Sequence, residues 1–331
     1  MLRIAQPKQA RKSRTFRGAA LVVAGIVASS GVAADTLAQP PSNALEQQAA
    51  HYIQYRQDVA EIEATPLNNA KATRDAHKRL AAHDPTGLSG GWVAYAALVA
   101  ADTPEFAADL KKELKRRHGR LRGKPGFLAK LAEDPSYPRK LKGAKAATAR
   151  VLEMTMQDIS RFYALGENFK RQAYAMQKTN WGKKRIASSD RRLQEADQFA
   201  SSRPKSSAPE LERTTERGVT APVLASASAA WSADWGADGG EGRLSEPNAQ
   251  VIMDRVLNLA ARYAVGSVND KVVEVYSKNN KSRQCLELSK LTLSQCIAAT
   301  RTPYEEAFCL GEHGLNDIGG CIGWVAGQGA S

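Results

Sequence analysis

Residues 284–324 read QCLELSKLTLSQCIAATRTPYEEAFCLGEHGLNDIGGCIGW, and all four cysteines of the chain fall within them, separated by 10, 12 and 11 intervening residues. If Leu286–Ala299 is one helix, Cys285 and Cys296 lie about 1100° of rotation apart and face the same way within roughly 20°. They also stand about 16 Å apart along the axis, too far to bond each other. Thr302-Pro303-Tyr304-Glu305 then opens a second helix. Thr302 is its cap, Pro303 takes the first position, where a missing N–H costs nothing, and Glu305 reaches back to the cap backbone. Antiparallel packing of the two brings Cys296 level with Cys309 and Cys285 level with Cys321. Of the three connectivities open to four cysteines, this geometry selects the nested pairs Cys285–Cys321 and Cys296–Cys309. Cys309 and Cys321 sit about 120° off a common face of an ideal helix. The sequence therefore predicts a break at Gly319-Gly320 that turns Cys321 inward. The stretch reads as a stapled helical hairpin, and it sets the fold class as all-α.

The rival chemistries for these cysteines need spacings the chain does not have. Zinc sites use short paired spacings such as C-x2-C, and His313, though close in sequence, has no such pair beside it. A redox C-x-x-C pair and a C-x-x-C-H haem site are also missing from the sequence. No metal and no cofactor is expected. The pattern resembles the twin C-x9-C helical hairpins, but its spacings are longer and unequal, and no function is carried over from them.

Outward from the cysteines, the amino terminus supplies the compartment. Six basic residues, Arg3, Lys8, Arg11, Lys12, Arg14 and Arg17, precede an uncharged run, Gly18 to Ala34, that ends in small residues. This is the pattern of a signal peptide over residues 1–34, cleaved after Ala34. With three glycines and two serines in 17 residues, the run is short and weakly apolar for a span, which needs about 20. The protein is therefore expected to be exported, to the periplasm or beyond the cell. That compartment favours disulfides.

The rest divides by composition. Residues 35–200 carry helical signals, 201–246 are rich in Ser, Ala, Pro and Gly and predict a flexible linker, and 247–331 return to helical periodicity. Two helical domains joined by that linker are expected. Thr65-Pro66 and Thr103-Pro104 each read as a cap followed by a first-turn proline. Gly119, after Arg116-Arg117-His118, reads as a helix stop. Leu152, Ile159, Gly166 and Ala173, with Thr155, Phe162, Phe169 and Met176 three residues on, form one apolar stripe of a long helix. The run Trp92 to Val99 is apolar on every side and predicts a helix at the centre of the bundle. Ile252, Val256, Leu259, Ala260 and Tyr263 mark another helix, and Val268 to Tyr276 a further one despite its β-branching.

Charge points to a partner. The chain carries 47 basic and 34 acidic residues, yet 35–110 hold 5 basic and 10 acidic groups while 111–150 hold 14 and 3. Lys111, Lys112, Lys115, Arg116, Arg117, Arg120, Arg122 and Lys124 crowd into fourteen residues, followed by Arg139, Lys140, Lys142 and Lys145. This basic segment is the expected polyanion-binding site, for an anionic envelope polymer or lipid headgroups. Nucleic acid is not expected, because Phe127 and Tyr137 interleave too sparsely to stack on single strands.

Two residues are candidates for catalysis. Glu167, beside Tyr163 and Phe169, would serve as a general acid if burial raised its pKa. That is the device of helical lytic transglycosylases, whose surrounding motifs do not occur here; a cell-wall-active hydrolase is thus the alternative to a non-catalytic binder. His313, near Glu305, Glu306 and Asp317, could act as a base oriented by a carboxylate. His51, His77, His83 and His118 fall into no catalytic or metal-binding motif. Trp231 and Trp235, inside the expected linker, suit docking on a folded surface. Oligomeric state leaves no mark in the sequence.

Overall fold

The computed structural model describes residues 44–203, 211–212, 223–224, 244 and 247–327. The expected signal peptide and both linker tryptophans lie outside them. Within the described residues the fold is all-α, apart from two pairs of two-residue strands. One pair, β3 (Leu211–Glu212) with β4 (Val223–Leu224), falls inside the stretch expected to be a linker.

The central element is α3 (Pro85–Ala101), capped by Asp84 and buried at every residue from Gly87 to Ala101. A helix that is apolar all round must be covered on every side. The cover comes from α1 (Ala44–Glu63), α6 (Ala144–Met176), α8 (Pro247–Ala264) and α10 (Asn280–Ala299). Gly91 permits the closest of these approaches, since a Cβ there would stand 2.7 Å from the backbone N of Tyr52 on α1. The parts before and after residues 201–246 therefore share one hydrophobic core. Part of the cover of α3 thus comes from α8 and α10, beyond that stretch.

The stripe predicted on α6 is buried along its whole length. It packs on α11 (Pro303–Cys309), a π-helical segment (Leu310–Asn316) and α12 (Asp317–Gly323). Gly166 and Gly311 face each other there, and a Cβ on Gly311 would stand 2.6 Å from the Gly166 carbonyl. Deep in this packing, the Arg56 guanidinium pairs with Asp158 at 2.7 Å, and Tyr52 donates to the same carboxylate at 2.8 Å. Arg56 also donates to the Tyr95 hydroxyl, so the buried charge is satisfied across α1, α3 and α6.

The cysteines pair as the helical geometry requires, Cys285 with Cys321 at 5.3 Å between Cα atoms and Cys296 with Cys309 at 5.7 Å. The predicted break at Gly319-Gly320 is absent, and both glycines are helical within α12. The phase error is absorbed earlier, in the π segment, whose i→i+5 bonding turns less per residue and takes up the extra residue. Glu305 performs its half of the capping box, accepting from the N–H groups of Arg301 at 2.6 Å and Thr302 at 2.9 Å. Thr302 is the cap, its side chain facing the Glu305 backbone N–H to complete the box, and Pro303 takes the first position as expected.

Two other expected boundaries move. Thr65-Pro66 does not start a helix. Thr65 donates its hydroxyl back to Glu61 O, and α2 (Ala70–Ala81) begins instead at Asn69, a stronger cap whose side chain accepts from Ala72 N. Gly119 does not stop a helix either. α4 (Pro104–Glu113) ends six residues earlier, and Gly119 (φ 61°) is the first loop residue of a hairpin between β1 (Arg117–His118) and β2 (Leu121–Arg122). A continued helix would have stacked Lys111 on Lys115, Lys112 on Arg116 and Arg116 on Arg120, like charges at i,i+4 that repel. A glycine at the first loop position meets the need of a primed hairpin turn just as it would a helix stop.

Candidate anion-binding surface

Asp109 on α4 accepts from the backbone N–H of Gly143 at 2.7 Å and pairs with Lys112 at 3.2 Å, which binds the end of α4 to the start of α6. These bonds hold its carboxyl below the usual range. Four residues on, Glu113 is buried and collects Arg116 at 2.7 Å, His118 at 3.4 Å and the Tyr137 hydroxyl at 2.7 Å. Burial, followed by the Glu113 carboxylate, pushes the Tyr137 hydroxyl up to about 12. His118, Tyr137 and the fully buried Phe127 stack edge-on around the hairpin base, with ring centroids 5.8 to 6.4 Å apart. Phe127 belongs to α5 (Gly123–Glu133), and Tyr137 to the 3-10 turn Tyr137–Lys140. Gly126 on α5 completes the seat, since a Cβ there would stand 2.6 Å from the Leu121 carbonyl. The aromatics that looked too sparse for a stacking platform are the knot that fixes this hairpin.

On that fixed base, Lys111, Lys112, Lys115, Arg116, Arg117, Arg120, Arg122 and Lys124 are all exposed. Lys112 and Arg116 are held by the acids of α4, Arg117 donates to Gly119 O, and Lys124 donates to Gly266 O. Among the described residues, Lys111, Lys115, Arg120 and Arg122 have no acidic partner. The basic group does not lie along one helical face, because the chain leaves the helix at Glu113. It occupies the corner formed by the end of α4, the hairpin and the start of α5. Arg139, Lys140, Lys142 and Lys145, also exposed, follow in sequence; Arg139 pairs with Asp254 at 3.5 Å and Lys140 with Asp134 at 2.8 Å. Arg139 and Lys145 rim an open groove of about 430 Å³ floored by Leu141, Ala144 and Leu152. Leu121, 48 % exposed, was not singled out from the sequence. It stands between Arg120 and Arg122.

The two catalytic candidates are placed differently. Glu167 would need burial beside its aromatics and a raised pKa to serve as the acid. Its side chain is instead 53 % exposed, pairs with Lys170 at 2.6 Å and accepts from Asn316 at 2.8 Å. The bond from Lys170, then that from Asn316, lowers its pKa, the wrong direction for a general acid. His313 does find an orienting carboxylate, with Nδ1 2.9 Å from Asp317. The cavity beside it holds only about 20 Å³, the space of one water. Among the described residues no three His, Cys, Asp or Glu side chains gather as a metal site would need, and no helix is long and apolar enough to cross a membrane. Comparison with protein-family models, curated proteins and solved structures finds no match for the chain.

Proposed function

We propose that this is an exported, non-catalytic helical protein that binds anionic components of the cell envelope. The surface is the corner of Lys111–Lys124, continued by Arg139–Lys145. One observation carries the reading: eight exposed cations are concentrated on a short, rigidly seated element, and six of them lack an acidic partner among the described residues. A solvated helix face scatters such groups among acids, whereas here Asp109 and Glu113 of α4 point inward to hold the base. The two disulfides suit an oxidising compartment.

Binding to long-chain inorganic polyphosphate tests this. Affinity should fall steeply between about 0.05 and 0.5 M salt, because exposed charges are screened over about 10 Å at 0.1 M. Reversal of Lys111, Lys115, Arg120 and Arg122 to glutamate should weaken binding by nearly three orders of magnitude, at roughly fivefold per cation. The same reversal of Lys178, Lys183, Lys184 and Arg185, equally exposed and equal in charge, should leave most of the affinity. Salt-insensitive binding, or equal loss from both sets, would reject the assignment.

A further inference from the structure

Leu121 is half exposed near the tip of a hairpin, between Arg120 and Arg122 in sequence. Its cross-strand partner is His118, so the two share one face of the hairpin; His118 turns toward Phe127 and Tyr137, and Leu121 lies over Gly126 of α5 with about half its surface in solvent. Nothing lies within 4 Å of where a Cβ on Gly119 would stand, so the turn beside it is open to solvent. An apolar side chain flanked by cations on a rigid tip gains nothing from a soluble polyanion, which offers only charge. It gains burial from a headgroup layer, where arginines meet phosphates while the side chain between them reaches the acyl boundary.

From this juxtaposition we infer that the ligand of the basic corner is the surface of an anionic phospholipid bilayer. Arg117, Arg120 and Arg122 engage the headgroup phosphates, and Leu121 inserts below them. This rests on the charge-driven binding proposed above and names its target. The hairpin needs no refolding to dock: the bond from Tyr137 to Glu113 and the positive φ of Gly119 and Gly123 already set its shape. The protein would lie on the membrane and not span it, held reversibly, since one leucine and a patch of cations make a weak anchor.

The test uses vesicles of phosphatidylglycerol mixed with phosphatidylcholine, alongside polyphosphate. Leu121→Ala should lower partitioning onto the anionic vesicles about eightfold, the share expected from losing roughly half the burial of three carbons, and leave polyphosphate affinity unchanged. Leu121→Cys carrying an environment-sensitive dye should shift to the blue on anionic vesicles and be quenched by acyl-chain quenchers. The described cysteines are all paired, so the label reports this position. Vesicles of pure phosphatidylcholine should bind at least a hundredfold more weakly. If Leu121→Ala changes neither ligand and the dye stays in water, insertion is overturned while the charge reading survives. If the charge-reversed variant binds both ligands as wild type does, the charge reading itself falls. Polyphosphate binding with no vesicle binding at equal salt would return the target to a soluble polymer.

Discussion

His77 is 1 % exposed between α2 and α11, with Nδ1 3.6 Å from a Glu306 oxygen and neither atom hydrogen-bonded. Burial, then the charges of Arg192, Arg74 and Lys78, lowers its pKa from 6.5 to about 4. In the unfolded chain it takes up a proton near pH 6.5, so between pH 6.5 and 4 the unfolded state binds more protons and stability falls as pH falls. The shift corresponds to about 3 kcal/mol by pH 4. Glu306, raised by burial, runs the other way, stabilising as pH falls toward 4.5. It is present in both proteins when wild type is compared with His77→Gln, so most of its contribution is common to the two curves. Urea unfolding of the pair from pH 7 to 4 should show the wild type losing about 3 kcal/mol more than the variant; parallel curves would mean the imidazole is hydrated or paired. Nothing in the sequence marked this histidine out from the other four, because its neighbours Arg192 and Glu306 come from more than 100 residues away. Glu167 shows the converse. Its aromatic neighbours in sequence suggested burial, but on α6 it falls beside the buried stripe, and Lys170 one turn on keeps it ionised.

At the scale of elements, period and spacing were legible wherever one helix packs by its own repeat. The α6 stripe and the α10 cysteines are intervals along a single rod, so the nested disulfides followed from arithmetic. What arithmetic on an ideal helix could not place was the π segment, because the need for it arises only when two rods must meet at both disulfides. The corner at Gly119 differs from its sequence reading for a related reason: a left-handed glycine ends a helix and turns a hairpin alike, and the choice is made by repulsion among cations and by an aromatic seat spread over the twenty residues from His118 to Tyr137. The two disulfides close loops of different length, with sequence separations of 36 and 13. Loop-closure entropy then gives about 4 kcal/mol for Cys285–Cys321 and about 3 kcal/mol for Cys296–Cys309. Paired alanine variants of each, unfolded in urea under non-reducing conditions, should rank in that order. A reversed order by more than about 1 kcal/mol would show that packing around Cys296–Cys309, not chain entropy, sets its worth.

For the whole molecule, the composition of residues 201–246 suggested two domains, and the core says otherwise. Composition describes a connection, while domain structure depends on which surfaces remain uncovered, and an α3 with no polar side takes part of its cover from α8 and α10. Asn258 on α8 donates to the carbonyls of Leu131 and Pro135 at 3.3 and 2.9 Å, so even polar backbone at the end of α5 is satisfied across that divide. Arg192 on α7 (Ser189–Ser202) likewise donates to Thr300 and Ile297 carbonyls beyond it. A chain built this way should unfold as one unit. Chemical unfolding followed by far-ultraviolet circular dichroism and by tryptophan fluorescence should give coincident curves, since Trp92 lies at the centre of the first part and Trp324 near the end of the second. Residues 35–203 expressed alone should lack a cooperative transition, because exposing the faces of α3 against α8 and α10 uncovers several large apolar side chains at about 25 cal/mol per Å². Adding residues 247–331 as a separate, oxidised chain should restore it. Two separate transitions in the intact protein, or a cooperative fold for the first fragment alone, would mean that the shared core is a contact between independent domains and that the basic corner can be studied without its stapled hairpin.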